Sequence, residues 1–164
     1  MPSGYLRKAG EFFRAIFGKK TAKTAAELDG VLDLTMTKKI LVIDDDSDLL
    51  HLMSQCLKKK GYEVACGLDG RAALDLAAKL LPDLIIIDVK LPSMNGDEAA
   101  RILKKDERLK HIPLILMSSE HEGLDKKSAA SEADAYLNKP FDLKELSGMV
   151  NTYCASDTHP RLAS

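Results

Sequence analysis

Residues 38–50, KKILVIDDDSDLL, run an unbroken apolar stretch straight into a group of acids. Ile40, Leu41, Val42 and Ile43 are followed by Asp44, Asp45 and Asp46, with Asp48 just beyond. A short, β-branched apolar run without polar alternation predicts a strand buried on both faces, as in a parallel sheet. The residues after it, SDLLHLMSQCLKKKG, have helical spacing: Leu49, Leu52, Met53, Cys56 and Leu57 share one face, and Gly61 is a stop. Acids suit a helix start, where they accept unpaired N–H groups and complement the helix dipole. One or two would serve. Three in a row exceed that need, because like charges repel, so the surplus asks for another purpose.

The same alternation continues to the end of the chain. YEVAC (62–66) reads as a strand and GRAALDLAAKLL (70–81) as a helix with Ala72, Ala73, Leu76, Ala77 and Leu80 on one side. DLIIID (83–88) is an apolar strand and GDEAARILKKD (96–106) a helix. PLILMSS (113–119) is another buried strand, followed by a weaker, polar helix in LDKKSAASEA (124–133). AYLN (135–138) and DLKELSGMVNTY (142–153) complete five β-α units. Short apolar strands separated by helices predict an α/β fold: a doubly wound parallel sheet covered on both faces.

Bulk properties exclude several classes. The chain has 164 residues, enough for about one domain. The net charge of −1 gives no electrostatic case for a nucleic-acid partner. No apolar run approaches the ~20 residues that span a bilayer. Cys56, Cys66 and Cys154 have no metal-binding spacing, and an odd count without a secretory signal suits a reducing cytosol, so a cytoplasmic location is expected. Cys56, on the apolar face of its helix, reads as core.

In an open parallel sheet, sites form beyond the carboxyl ends of the strands. Asp44 and Asp45 follow the first strand, Asp88 ends the third, Ser118 and Ser119 end the fourth, and Lys139 with Pro140 follows the fifth. Three acids, a hydroxyl and a lysine therefore converge on one edge. Carboxylates held together raise one another's pKa unless a cation joins them. Hard oxygen ligands with an open face suit Mg²⁺. A lysine can act as a point charge on a phosphoryl oxygen, and a carboxylate can be the nucleophile of aspartyl-phosphate chemistry. Asp88, backed by the most apolar strand, is the candidate for that role. The plainer reading, a simple Asp88–Lys139 pair, leaves Asp44 and Asp45 unexplained.

Four motifs in order carry a resemblance: Asp44-Asp45, DVKLPSMNG (88–96), LMSS (116–119) and YLNKPF (136–141). On these, residues 38–154 resemble the receiver domain of two-component response regulators, of the single-domain, chemotaxis-regulator-like kind. The resemblance implies a flavodoxin-like (βα)5 fold with a five-stranded sheet in the order 2-1-3-4-5. It implies Asp88 as phosphoacceptor and a Mg²⁺ cofactor. Asp45, Asp88 and the Lys90 carbonyl would be metal ligands, with Asp44 acting through a water. Lys139 and Ser118 would contact the phosphoryl group, Ser118 and Tyr136 would form the switch, and the bond before Pro140 would be cis. Lys90 and Glu120 fall at positions bordering the phosphoryl group, where a lysine stem would crowd the water that hydrolyses it.

Rival motifs fail on their spacing. Asp44-x-Asp46-x-Asp48 opens like a calcium-binding EF-hand loop, but Leu49 stands where Gly is needed and Gln55 where the bidentate Glu belongs. The same start resembles a haloacid-dehalogenase-type phosphatase, yet the second key acid, Asp88, precedes Ser118 and Lys139 instead of following the lysine.

Residues 1–37 read as an amphipathic helix and linker outside the domain. Tyr5, Leu6, Ala9, Phe12, Phe13, Ile16 and Phe17 fill an arc of roughly 140° at helical spacing. This helix could pack on the domain, dock on a partner, or touch a membrane surface through residues 5–17. Residues 155–164 read as a short tail, too short for an output domain. The expected function is a phosphorelay regulator, not an enzyme, that takes a phosphoryl group from a histidine kinase or histidine phosphotransfer protein and acts on a downstream protein target. The alternative is a phosphorylation-independent docking adaptor on the same fold.

Overall fold

The computed structural model describes residues 37–119 and 132–155, all within one compact unit, Thr37–Ser164. Five strands alternate with helices: β1 (Lys39–Ile43), α1 (Ser47–Lys59), β2 (Glu63–Gly67), α2 (Gly70–Leu80), β3 (Leu84–Asp88), α3 (Gly96–Lys105), β4 (Leu114–Ser119), β5 (Ala135–Lys139) and α4 (Leu143–Ala155). All pairings are parallel and the order is β2-β1-β3-β4-β5. The expected doubly wound, flavodoxin-like architecture is present. The expected polar helix at 124–133 and the N-terminal helix at 5–17 lie outside the described residues, apart from positions 132 and 133, which are not helical.

The apolar runs became central strands because a parallel sheet removes both faces from water. Ile40 to Ile43 and Leu84 to Ile87 are essentially fully buried. Alternate residues divide between two cores. Leu41, Ile43, Ile85 and Ile87 face α2 and α3, with Ala73, Ala77, Ala99 and Leu103. Ile40, Val42, Leu84 and Ile86 face α1 and α4, with Met53, Leu57, Leu146 and Val150. The small alanines let α2 and α3 lie close to the sheet. No helix among the described residues is long and apolar enough to cross a membrane.

Local signals set the helix ends. Asp46 caps α1, its Oδ1 accepting the N–H groups of Asp48 (2.9 Å) and Leu49 (3.1 Å). Asp69 caps α2 by accepting the Ala72 N–H at 2.8 Å. Two expectations need correction. Leu52 lies at the margin of the α1 apolar arc and is 51% exposed, because it opens onto a groove beside Leu143 instead of the sheet. Cys56 is half-buried rather than core, with its Sγ 3.6 Å from the Ser147 Oγ of α4.

Gly148 sits inside α4 with nothing within 4 Å of the place a Cβ would occupy. A helical glycine costs roughly 0.5–1 kcal/mol relative to alanine through chain entropy. Gly148→Ala should therefore stabilise the domain by about that amount, seen as a raised denaturation midpoint with unchanged slope.

Candidate functional site

The three acids after β1 divide their labour by direction. Asp44 is fully buried and points under the carboxyl edge of the sheet. Its Oδ1 accepts the Asp46 N–H at 2.9 Å, and its Oδ2 accepts from the Lys139 Nζ at 2.7 Å. The Asp44 N–H donates to the Gly67 carbonyl at 3.2 Å, which ties the end of β1 to the end of β2. Asp45 is exposed beside it, and Asp46 turns away to cap α1.

Asp88, the last residue of β3, is buried, with its Oδ2 3.2 Å from the Lys139 Nζ. Lys139 thus reaches across from the end of β5 and lies between Asp44 and Asp88. One oxygen each from Asp44, Asp45 and Asp88 falls within 4.8 Å of the others. Ser118, near the end of β4, is 5% exposed, and its hydroxyl has no hydrogen-bond partner among the described residues. Native structures seldom leave such a buried group unpaired. An oxygen-rich ligand arriving at this edge would satisfy it.

The loop after Asp88 is held from both sides. The Val89 N–H donates to the Met117 carbonyl (2.9 Å), and the Val89 carbonyl accepts from the Gly96 N–H (2.8 Å). A Cβ at Gly96 would lie 2.0 Å from the Asp88 carbonyl oxygen, and one at Gly70 would lie 2.4 Å from the Met94 carbonyl oxygen. Gly96 lets the start of α3 press against the end of β3, and Gly70 lets the start of α2 press against the loop that carries Lys90. Reading the strand ends alone missed these supports. The signal for them was a glycine directly after a capping-type residue, Asp69-Gly70 and Asn95-Gly96. Lys90 itself is exposed at the rim. Tyr136 is half-buried and its ring packs on the core cluster shared by β4, α2 and α3. Glu120 lies outside the described residues. The Lys139–Pro140 bond is cis.

Charge is unbalanced here. Burial pushes the Asp88 carboxyl above its usual range; Lys139 opposes this, while Asp44 and Asp45 add to it. Burial alone would lower the Lys139 ammonium, but its hydrogen bond to Asp44 and the charges of Asp44 and Asp88 outweigh that and hold it raised. Three carboxylates against one ammonium leave an excess of negative charge on hard oxygen donors. That donor set fits a divalent cation such as Mg²⁺.

A family model described as the response regulator receiver domain matches residues 40–151. The chain belongs to that family. Among curated relatives, the DNA-binding response regulator MtrA of Mycobacterium tuberculosis is 36% identical over 117 residues, covering 71% of this chain and 50% of that protein. The DNA-binding dual master transcriptional regulator RpaA of Synechocystis is 39% identical over 113 residues, covering 68% of this chain and 47% of that protein. The receiver chain therefore spans about half the length of the curated relatives it matches. Among solved structures, a chemotaxis response regulator of Vibrio cholerae superposes with a TM-score of 0.67 at 30% identity, covering 72% of this chain and 99% of that one. The receiver domain of a Pseudomonas aeruginosa sensor histidine kinase, solved with a magnesium ion coordinated in its active site cleft, gives 0.68 at 25% identity, covering 74% of this chain and 100% of that one.

Proposed function

We propose that this receiver accepts a phosphoryl group on Asp88 from a histidine kinase or histidine phosphotransfer protein and then switches its contacts with a protein target. It is a phosphoacceptor that assists its own modification, not an enzyme acting on a separate substrate. The observation that carries this reading is the Lys139 ammonium lying between Asp44 and Asp88 in a group of three carboxylates, with a buried Ser118 hydroxyl near the end of the adjoining strand β4 that has no hydrogen-bond partner among the described residues.

Asp45, Asp88 and the Lys90 carbonyl would hold Mg²⁺, with Asp44 acting through a water. The bound ion would supply positive charge for the negative oxygens that gather as the group is transferred. An ionised Asp88 oxygen forms the new bond to phosphorus while the donor's nitrogen–phosphorus bond breaks. Lys139 keeps its bond to Asp44 and turns its remaining donors to a phosphoryl oxygen. The Ser118 hydroxyl donates to another, and Tyr136 follows it, so the modified state holds contacts that the unmodified one lacks.

DNA binding is named for the curated relatives, whose matched halves this chain covers. For the present residues, protein contact is the output proposed. Incubation with a small phosphodonor and Mg²⁺, followed by mass measurement, tests the reading. A gain of one phosphoryl group supports it, and no gain in the native chain rejects it.

Lifetime of the modified state depends on water reaching the phosphorus in line with the departing oxygen. The stem of Lys90, two residues beyond Asp88, would crowd that approach. A slowly decaying aspartyl phosphate is expected, with faster loss in Lys90→Ala. Decay followed after removal of the donor checks this, and an equal or longer lifetime in the variant rules out shielding.

A further inference from the structure

At the opposite end of the sheet from Asp88, one ion pair gathers four elements. The Lys104 Nζ, at the end of α3, donates to the Lys110 carbonyl (3.3 Å), the Ile112 carbonyl (2.9 Å) and the Asp134 Oδ2 (2.6 Å). The same Asp134 oxygen accepts the Leu114 N–H at 2.7 Å, where β4 begins. The Asp134 N–H donates to the Leu114 carbonyl at 2.8 Å, and the Asp134 carbonyl accepts from the Tyr153 hydroxyl of α4 at 3.1 Å. The Lys104 side chain is only 10% exposed, although the lysine is at a helix end where it could extend into water.

Among the described residues β5 is an edge strand of this sheet, hydrogen-bonded to β4 alone. An edge strand is positioned from one side only, so its register is less strongly determined than that of a central strand. Yet β5 carries Lys139, whose ammonium must meet two carboxylates on β1 and β3. The register Ile115↔Ala135 through Ser119↔Lys139 links the foot of this pair of strands to the site. Asp134 and Leu114 stand at the foot; Ser118 and Lys139 stand at the top.

We propose that Lys104 and Asp134 are positioning residues for phosphoryl acceptance: they clamp β5 against β4 at the foot and so set where Lys139 and Ser118 lie. The inference rests on the function proposed above. Removal of the clamp lets β5 slip or tilt against β4 while β1 and β3, with their acids, stay in place. The cost falls on phosphoryl transfer, not on cation binding.

The test uses the full chain with a small phosphodonor and Mg²⁺, well below the melting temperature. Lys104→Met should slow phosphoryl gain about ten- to hundredfold, the scale of a small misplacement of a reacting group. Mg²⁺ affinity by calorimetry should stay within about twofold, because its ligands sit on β1, β3 and the loop after β3. In a background carrying both Lys139→Ala and Ser118→Ala, Lys104→Met should slow the reaction no further. A slowing that multiplies in that background, or no slowing at all, overturns the proposal. Asp134→Asn, which keeps an acceptor for the Leu114 N–H, provides a milder variant should Lys104→Met fail to fold. A second readout needs no phosphorylation: the nuclear resonances of the Lys139 ammonium and the Ser118 methylene should shift in Lys104→Met. If they stay fixed, the clamp is overturned. If they shift while the native chain takes up no phosphoryl group, the function is rejected and the clamp's mechanical part stands.

Discussion

Asp88→Asn should take up no phosphoryl group from a small phosphodonor, and without a divalent cation it should unfold at a higher denaturant concentration than the native chain. The first half follows from chemistry: an amide in this place offers no ionised oxygen to attack phosphorus. The second follows from linkage. Burial raises the Asp88 pKa, and Asp44 and Asp45 raise it further against the pull of Lys139. An acid whose folded pKa lies above its unfolded value binds more protons in the folded state, so stability falls as pH rises from the unfolded value, 3.8, through the raised one. At neutral pH the native chain bears that cost in full and the amide removes it. Lys139 keeps Asp44 as its partner at 2.7 Å, so the substitution does not strand a buried cation. Added Mg²⁺ should reverse the ranking by stabilising the native carboxylates. A variant less stable than the native chain in the absence of metal would show that the Lys139 pair outweighs desolvation.

Gly96→Ala should lower the melting temperature by about 10–20 °C, the equivalent of some 3 kcal/mol in a domain of this size. The new Cβ would stand 2.0 Å from the Asp88 carbonyl oxygen, 2.8 Å from its carbon and 2.9 Å from the Ile87 Cγ2. Relief by a backbone shift is opposed on both sides, because the Gly96 N–H is bonded to the Val89 carbonyl and β3 is bonded to two neighbours. The gain in helix propensity, roughly 0.5–1 kcal/mol, is too small to compensate. Gly148→Ala makes the same chemical change in open space, and its opposite sign isolates the clash from the propensity. Calorimetry of both variants settles the comparison. A change of only a few tenths of a degree at Gly96 would mean that α3 can slide away from the phosphoacceptor strand.

The strands were legible because a parallel sheet leaves neither face polar, so the runs at 40–43 and 84–87 could hardly be anything else. Once the order of units was read, the convergence of Asp44, Asp45, Asp88, Ser118 and Lys139 followed from the general behaviour of strand carboxyl ends. The exposure of Leu52 was not legible. Helical periodicity places a side chain on an arc, but the breadth of that arc which a neighbouring helix covers depends on how α4 packs. The Lys104–Asp134 pair was equally hidden. Two residues 30 apart leave no periodic mark, and on a helix end a lysine reads as a solvated charge. The second role of Gly96, making room for the back of Asp88, shows only in the folded chain, since a glycine after an asparagine also reads as an ordinary turn.

The position of β5 at the edge has a consequence for how the molecule opens. Amide exchange with solvent proceeds through local openings whose free energies range from near zero at mobile edges to the full unfolding value in central strands. β1 and β3, each with neighbours on both sides and almost no exposed surface, belong at the top of that range. β5, bonded on one side among the described residues and partly exposed, belongs lower. The carboxylates therefore ride on the slowest-exchanging part of the sheet and their lysine on a faster one. Lys139 can leave Asp44 and Asp88 in a sub-global opening that keeps the acids in place, and exchange at the β5 amides would measure how often the receiver does so.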